Sequence, residues 1–293
     1  MNDRRRHSTA AGDWIDDPDL VLRVPAPVRI PADGYVPYKY LVLPYRFKKD
    51  TWIEQIEIRP SNPRVLHHAN LGYIDSGLRF RQRNFITGLV PGGDPMRLDP
   101  GTAVLVPKGA VLGLQCHYVT VGKPQTDRIE VGLRFPRQPV ARRLRVLIAQ
   151  SHSFAIPPGA TFHPVRDERV LPVDAIGLGL FSHMHLRGRD MTFRAHYPDG
   201  RSETLLLIPN YSFDWQAAYR WEPDSKRFPK GTRIEVVAHY DNSAWNPFNP
   251  DPTKTVRFGP QTYHEMMYGF FFYVDANEDL GVKVDPRSGH ALP

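Results

Sequence analysis

The sequence predicts an all-β protein built as sandwiches or jelly rolls, and three observations carry that expectation. Hydrophobic segments are short and rich in β-branched and aromatic residues. Turn residues interrupt them throughout, with 29 Pro and 22 Gly in 293 residues. No long amphipathic helical stretch occurs. In chain order the strand-like segments are LVLRVP, YKYLVLPY, TWIEQIEIRP, RVLHHANLGYI, AVLGLQCHYVTV and RIEVGLRF, then RRLRVLIAQ, AIGLGLFSHMHL, MTFRAHYP, ETLLLIP, RIEVVAHYDN and EMMYGFFFYV. PGGDP, VPKGA and IPPGA mark turns, and YPDGR predicts a hairpin tip at Asp199 and Gly200.

Strand patterning breaks at FPRQPVARR, residues 135–143, where two prolines and several charges fall together. That seam divides the chain into domains 18–138 and 139–293. No internal sequence repeat is evident. The Asn/Pro-rich stretch DNSAWNPFNPDPTKT, residues 241–255, predicts a long loop of the kind that is functional or packed over a site more often than inert.

A net charge of +7 raises the question of nucleic acid. The basic residues are dispersed, with small clusters only at Arg4, Arg5, Arg6 and at Arg142, Arg143, Arg145, and no stacking aromatics interleave with them. A solvated basic surface is expected and no nucleic-acid partner. No run approaches the roughly 18 apolar residues of a membrane span. MNDRRRHSTAAGDW has no apolar stretch behind its arginines, so no signal peptide is expected in this chain. The single cysteine, Cys116, excludes an intrachain disulfide and leaves stability to the cores.

Side chains alternate faces along a strand, so each histidine can be assigned a side. In VLGLQCHYV, Leu112, Leu114, Cys116 and Tyr118 share the apolar, inward face, while Gln115 and His117 point out of the sandwich. In AIGLGLFSHMHL, Ile176, Leu178, Leu180, Met184 and Leu186 fall on one face, with Gly177, Gly179, Phe181, His183 and His185 opposite. Residues two apart on a strand lie about 7 Å from each other, so both imidazoles can converge on one ion. Adjacent His67 and His68 face opposite sides of an ideal strand and can share an ion only if the strand ends or bulges there. With His117 they form a candidate three-imidazole site. In TYHEMMYGFFFYV, His264, Met266, Tyr268 and Phe270 share a face opposite Glu265 and Met267, and parity leaves Met266, Met267 and His264 open as a further ligand. Two imidazoles with a thioether suit copper cycling through Cu(I), whereas a hydrolytic zinc site wants a third imidazole or a carboxylate.

VLHHANL, LQCHY, FSHMHLRGRDMTF and HEMMYGFFFY, in this order and at this rough spacing, resemble the copper type II ascorbate-dependent monooxygenases, the family of peptidylglycine α-hydroxylating monooxygenase and dopamine β-monooxygenase. The resemblance runs from about residue 18 to 275 and is to bacterial members, which lack the disulfides of the secreted animal enzymes; the ordered set of four motifs carries it. It implies two jelly-roll antiparallel β-sandwich domains packed side by side, each with one copper ion. His67, His68 and His117 would hold the electron-transfer copper; His183, His185 and Met266 would hold the copper that binds dioxygen and substrate. Met266 takes the place of the family methionine because that ligand directly follows a glutamate, as Met266 follows Glu265. Gln115 matches a family glutamine beside the third histidine. The implied activity is hydroxylation of an activated C–H bond of a small molecule, with dioxygen as co-substrate and ascorbate or another one-electron reductant.

Peptide-amidating members hold the substrate carboxylate with an arginine, an asparagine and a tyrosine at positions occupied here by Phe181, Tyr268 and Phe270. The resemblance therefore implies a less charged, aromatic or hydrophobic substrate, with these three residues in its pocket. Arg187 and Arg189 lie nearby in sequence; exposed structural arginines are the reading preferred over an anionic anchor. His152, His163, His196 and His239 receive no role, and Glu265 and Asp190 are candidates to orient ligands. A non-catalytic copper-binding or electron-transfer module on the same scaffold is the alternative. An upstream redox domain in a longer native chain and an extracytoplasmic address both stay open.

Overall fold

The computed structural model describes residues 14, 16–74 and 84–293. The Arg4, Arg5, Arg6 cluster lies outside them. The described residues form strands and turns with no α-helix, and none of them forms a helix long and apolar enough to cross a membrane.

Among the described residues, eight of the strands in each half form its two main sheets. In the first they are β1 (Leu20–Arg23), β2 (Lys39–Arg46), β3 (Gln55–Pro60), β4 (Leu66–Ile74), β5 (Phe85–Leu89), β6 (Met96–Arg97), β7 (Val111–Tyr118) and β8 (Ile129–Arg134). In the second they are β9 (Arg145–Gln150), β10 (His163–Val170), β11 (Ala175–His183), β12 (Gly188–His196), β13 (Ser202–Ile208), β14 (Ala218–Arg220), β15 (Arg233–Tyr240) and β16 (Tyr268–Asp275). The first half pairs them as β1-β8-β3-β6 and β2-β7-β4-β5, the second as β9-β16-β11-β14 and β10-β15-β12-β13. Both are the jelly-roll order, and the second half repeats the first strand for strand although the sequences show no repeat.

Period-two patterning explains the cores. In β15, Ile234, Val236, Ala238 and Tyr240 are buried while the residues between them are half-buried or exposed. They join Met191, Phe193, Ala195, Met267, Phe271 and Tyr273 in the second core. Leu112, Leu114, Cys116 and Tyr118 of β7 join Ile56, Ile58, Leu71, Val131 and Leu133 in the first. Each large side chain so buried contributes roughly 1.5–3 kcal/mol. The second core leaves no room beside β16: a Cβ on Gly269 would lie 2.6 Å from Val236 and 2.9 Å from Phe193. Gly269→Ala is therefore expected to lower stability by about 1–3 kcal/mol in chemical denaturation; an unchanged midpoint would contradict this packing.

The expected faces of Gly177 and Leu178 are corrected. The β11–β16 ladder slips between Gly177 and Gly179, making Leu178 the extra residue of a bulge. The parity reverses there, so Gly177 faces the core residue Phe228, and Leu178 leaves the core to line a cleft between the sandwiches. Past the bulge, Leu180 and Met184 lie in the core, as strand period requires.

The seam near residue 138 is crossed twice. Arg142–Arg143 pairs in parallel with Thr102–Val106 of the first half. The chain end also returns to that half: Val140 bridges Val282, Thr51 bridges His290, and Val284 packs with Trp52, Ala103 and Val140. The end of the 139–293 segment thus contributes to the first sandwich. The basic cluster at the seam is neutralised locally, with Arg145 bidentate to Glu278 at 2.6 and 2.9 Å and Arg142 3.1 Å from Asp224.

The two sandwiches meet through unlike sheets. The outer face of β2-β7-β4-β5 packs on the outer face of β9-β16-β11-β14, where Phe85 and Val90 of the first half join Phe181, Tyr268, Phe270 and Phe272 of the second. Phe85 and Phe270 hold their rings 5.0 Å apart. This apolar joint brings histidines of the two halves within ring contact of each other.

Candidate metal centre

His117 leaves β7 on the face opposite Cys116 and pairs across the ladder with His68 of β4. The next pair is Tyr118 with Leu66, so His67 is the extra residue of a bulge. That bulge turns two neighbouring imidazoles to one side. One ligand atom each from His67, His68 and His117 lies within 4.8 Å of the others, a geometry that could hold a metal ion. The Nδ1 atoms of His67 and His68 are 3.2 Å apart. Two nitrogens bound at about 2.0–2.1 Å around a tetrahedral ion would be separated by about 3.3 Å, so this spacing fits a shared ion.

His183 ends β11, and His185 lies in the short connection to β12, with the two rings 5.2 Å apart. His183 is also 5.8 Å from His68, ring to ring, so the two histidine groups adjoin across the joint. Met267 is wholly buried in the second core. Met266 lies instead in the apolar joint with Phe181, Tyr268 and Phe270. The His264 ring rests against Gly259, and its backbone carbonyl accepts from His185 Nδ1 at 3.3 Å.

Partners that can only accept determine which nitrogens carry protons. His67 Nε2–H donates to Asp214 Oδ1 at 2.9 Å. His183 Nδ1–H donates to Gln216 Oε1 at 2.8 Å, and the Gln216 amide is oriented by its own donation to the Phe213 carbonyl at 2.8 Å. With His185 Nδ1 on a carbonyl, the nitrogens without a proton are His67 Nδ1, which faces His68 Nδ1, and the Nε2 atoms of His183 and His185. His185 Nε2 and His117 Nδ1 are both buried without a hydrogen-bond partner. Orphaned buried nitrogens at the meeting point of imidazoles are what a metal would satisfy.

All five rings are shifted toward the neutral form. Burial is the main cause and neighbouring imidazoles add to it, taking His117 down to about 4. Burial takes His183 to about 4 against the opposing Gln216 hydrogen bond. His67 is lowered, and His68 and His185 lie well below the ordinary histidine value, again chiefly through burial. Metal binding needs neutral imidazole, so little proton release opposes it.

Glu265, fully buried, braces the second group from below. It accepts from the backbone N–H of His185 at 2.8 Å, of Arg187 at 2.7 Å and of Met266 at 3.3 Å. Burial pushes its carboxyl up to about 8 in spite of these donors. Arg187 corrects the expectation of an exposed arginine: it is 2% exposed, donating to Asn242 Oδ1 at 2.9 Å and the Tyr263 carbonyl at 3.1 Å. Asn242 opens the 241–255 loop, which is stitched to its surroundings rather than loose, with Asn246 donating to the carbonyls of Leu186 and Asp241. Gln115 and Asn70 lie side by side on the outer face of the first sandwich, where Asn70 donates to Gln115 at 3.2 Å and Gln115 to Tyr40 at 2.9 Å.

Three further histidines have partners of their own. His239 bonds Asp190 at 2.6 Å, His196 lies between Ser202 and Glu235, and His152 is 3.2 Å from the Tyr268 hydroxyl. Between the sandwiches lies a cavity of about 390 Å³, lined by residues that include Asn70, Phe85, Leu178, Phe181, Tyr219 and Phe272. Phe181 is on its wall; Tyr268 and Phe270 pack in the apolar joint behind it.

Sequence reasoning missed Phe213, Asp214 and Gln216. The Phe213 ring is stacked on His67 at 4.5 Å and lies 6.2, 5.9 and 5.9 Å from His68, His117 and His185. NYSFDWQ carries no periodic or metal-ligand signal, and only tertiary contact exposes its role.

No protein-family model matches the chain, and no curated protein matches it. Among solved structures, it is similar to infectious bursal disease virus Gx strain, with 9% identity, 88% of this chain and 72% of that one covered, and a TM-score of 0.25. It is also similar to the major capsid protein P2 of bacteriophage PM2, with 10% identity, 88% and 99% covered, and a TM-score of 0.33. Likenesses at these TM-scores carry no argument about what the chain does.

Proposed function

We propose that the chain is a copper-dependent monooxygenase that hydroxylates an activated C–H bond of a small molecule. One oxygen atom of dioxygen enters the product and the other leaves as water, with two electrons drawn from ascorbate or another one-electron reductant. The observation that supports this reading most is the donor set: five imidazoles in two adjoining groups, four of them buried and His67 half-buried, with three of them oriented by Asp214, Gln216 and the His264 carbonyl. His67, His68 and His117 would hold one ion; His183, His185 and Met266 would hold the other. Copper bound there would supply one-electron transfer and dioxygen activation.

The chain's own residues do the rest. Asp214, Gln216 and the His264 carbonyl hold three imidazoles in one tautomer, so the donor atoms are set before an ion arrives. Phe213 and the aromatic joint keep water from the imidazoles. The cavity favours an uncharged substrate. Its rim arginines are already paired, Arg97 with Asp16 at 2.7 Å and Arg220 with Asp99 at 3.0 Å, and Phe181 offers a ring rather than a cation. An aromatic or aliphatic molecule fits this wall better than a peptide carboxylate.

Oxygen uptake by copper-loaded protein with ascorbate and a panel of uncharged aromatic and aliphatic compounds tests the proposal. Dioxygen consumed in step with hydroxylated product is expected. Tight copper binding without coupled uptake would point instead to an electron-transfer module, and preferred turnover of a peptidylglycine would refute the substrate class.

A further inference from the structure

We infer that the segment Tyr211–Gln216 is a strap that sets one imidazole in each histidine group, with Asp214 and Gln216 as its positioning residues. The strap arises in the second half and is tied at both ends. The Tyr211 hydroxyl donates to the Met184 carbonyl at 2.8 Å and accepts from the Met184 N–H at 3.0 Å, gripping the connection that carries His185. At the other end the Gln216 N–H donates to the Pro91 carbonyl of the first half at 3.2 Å. The Trp215 ring lies so close over Gly92 that a Cβ there would sit 2.8 Å from it.

Between these ties the strap touches both groups. Asp214 reaches across the joint to His67 Nε2, the nitrogen facing away from His68, and Gln216 takes His183 Nδ1 within its own half. A carboxylate on the far nitrogen of a ligating imidazole fixes its tautomer and ring direction and makes it a stronger donor; loss of such a partner typically costs about 10–100-fold in metal affinity. The three-imidazole group is thus completed by a residue of the other sandwich, and one short segment serves both groups.

The metal-affinity arm of the test rests on the copper reading; the tautomer arm does not. In metal-free protein, nitrogen NMR of the imidazoles is expected to show His67 as the Nε2–H tautomer and His183 as the Nδ1–H tautomer. Asp214→Ala should release His67 alone, Gln216→Ala should release His183 alone, and Asp214→Asn, which keeps an acceptor oxygen, should restore His67. In Cu(I) competition titrations, Asp214→Ala should weaken one of two equivalents by about 10–100-fold and leave the other within a factor of about three. Wild-type His67 found as the Nδ1–H tautomer would overturn the strap. So would an Asp214→Ala variant that keeps both copper affinities, or loses both equally. Wild-type protein that takes up no copper, with the expected tautomers intact, would overturn the copper reading and leave the strap established.

Discussion

On the proposed copper reading, replacing His183 and His185 together with alanine should lower copper uptake from two equivalents per chain to about one and abolish hydroxylation. These two imidazoles are the ones whose Nε2 lone pairs are left free, since Gln216 and the His264 carbonyl occupy both Nδ1 atoms. His67, His68 and His117 are all kept, and although His68 loses its ring neighbour His183, their group retains Asp214 and Tyr38 behind it. Loss of an orienting partner alone costs about 10–100-fold in affinity or activity, so loss of two donors should exceed two orders of magnitude in turnover. Metal analysis after gel filtration, beside a circular dichroism spectrum to confirm the fold, reads the outcome. A double variant that still carries two equivalents would remove His183 and His185 from the centre.

The second large effect concerns Glu265. Glu265→Leu is expected to cost about 2–6 kcal/mol of stability, since each of two buried N–H groups left without an acceptor costs about 1–3 kcal/mol. The buried carboxyl group accepts from the backbone N–H groups of His185 and Arg187 at 2.8 and 2.7 Å, and a leucine would leave both unpaired. The buried Arg187 guanidinium donates to Asn242 and the Tyr263 carbonyl and keeps both when Glu265 is replaced. Glu265→Gln preserves one acceptor oxygen and should lose only about 1–2 kcal/mol. Urea denaturation of the metal-free variants measures both. A Leu variant within about 1 kcal/mol of the parent, a threshold set by the cost of one lost buried hydrogen bond, would show that the connection from Met184 to Arg187 does not depend on this carboxylate.

Strands with apolar alternation could be read from the residues, and β7 and β15 are the clearest cases. The polar strand β10, HPVRDERV, could not, because an edge strand of charged residues mimics a loop. Phe85–Leu89 and Thr102–Val106 escaped because five residues leave too few periods to count. Period two also fails at any bulge. It misassigned Leu178 for that reason, while at His67 a bulge is the condition under which two adjacent histidines can share an ion. Asp214 and Gln216 lay beyond reach, since their partners are distant in sequence and belong to both halves.

Because both halves share one strand order, each place on β4 and β7 has a twin on β12 and β15. His68 and His117 stand opposite each other at the third residue of β4 and the seventh of β7; Asp190 and His239 stand opposite each other at the third of β12 and the seventh of β15. One rung is roofed by the neighbouring sandwich and presents two imidazoles. Its twin, away from the joint, is capped by the half-exposed ring of Phe162 at 3.9 Å and presents a carboxylate bonded to an imidazole. A head-to-tail union has no two-fold axis, so matching places meet unequal surroundings. A pocket made in this way belongs to the union itself, and neither half on its own should possess it.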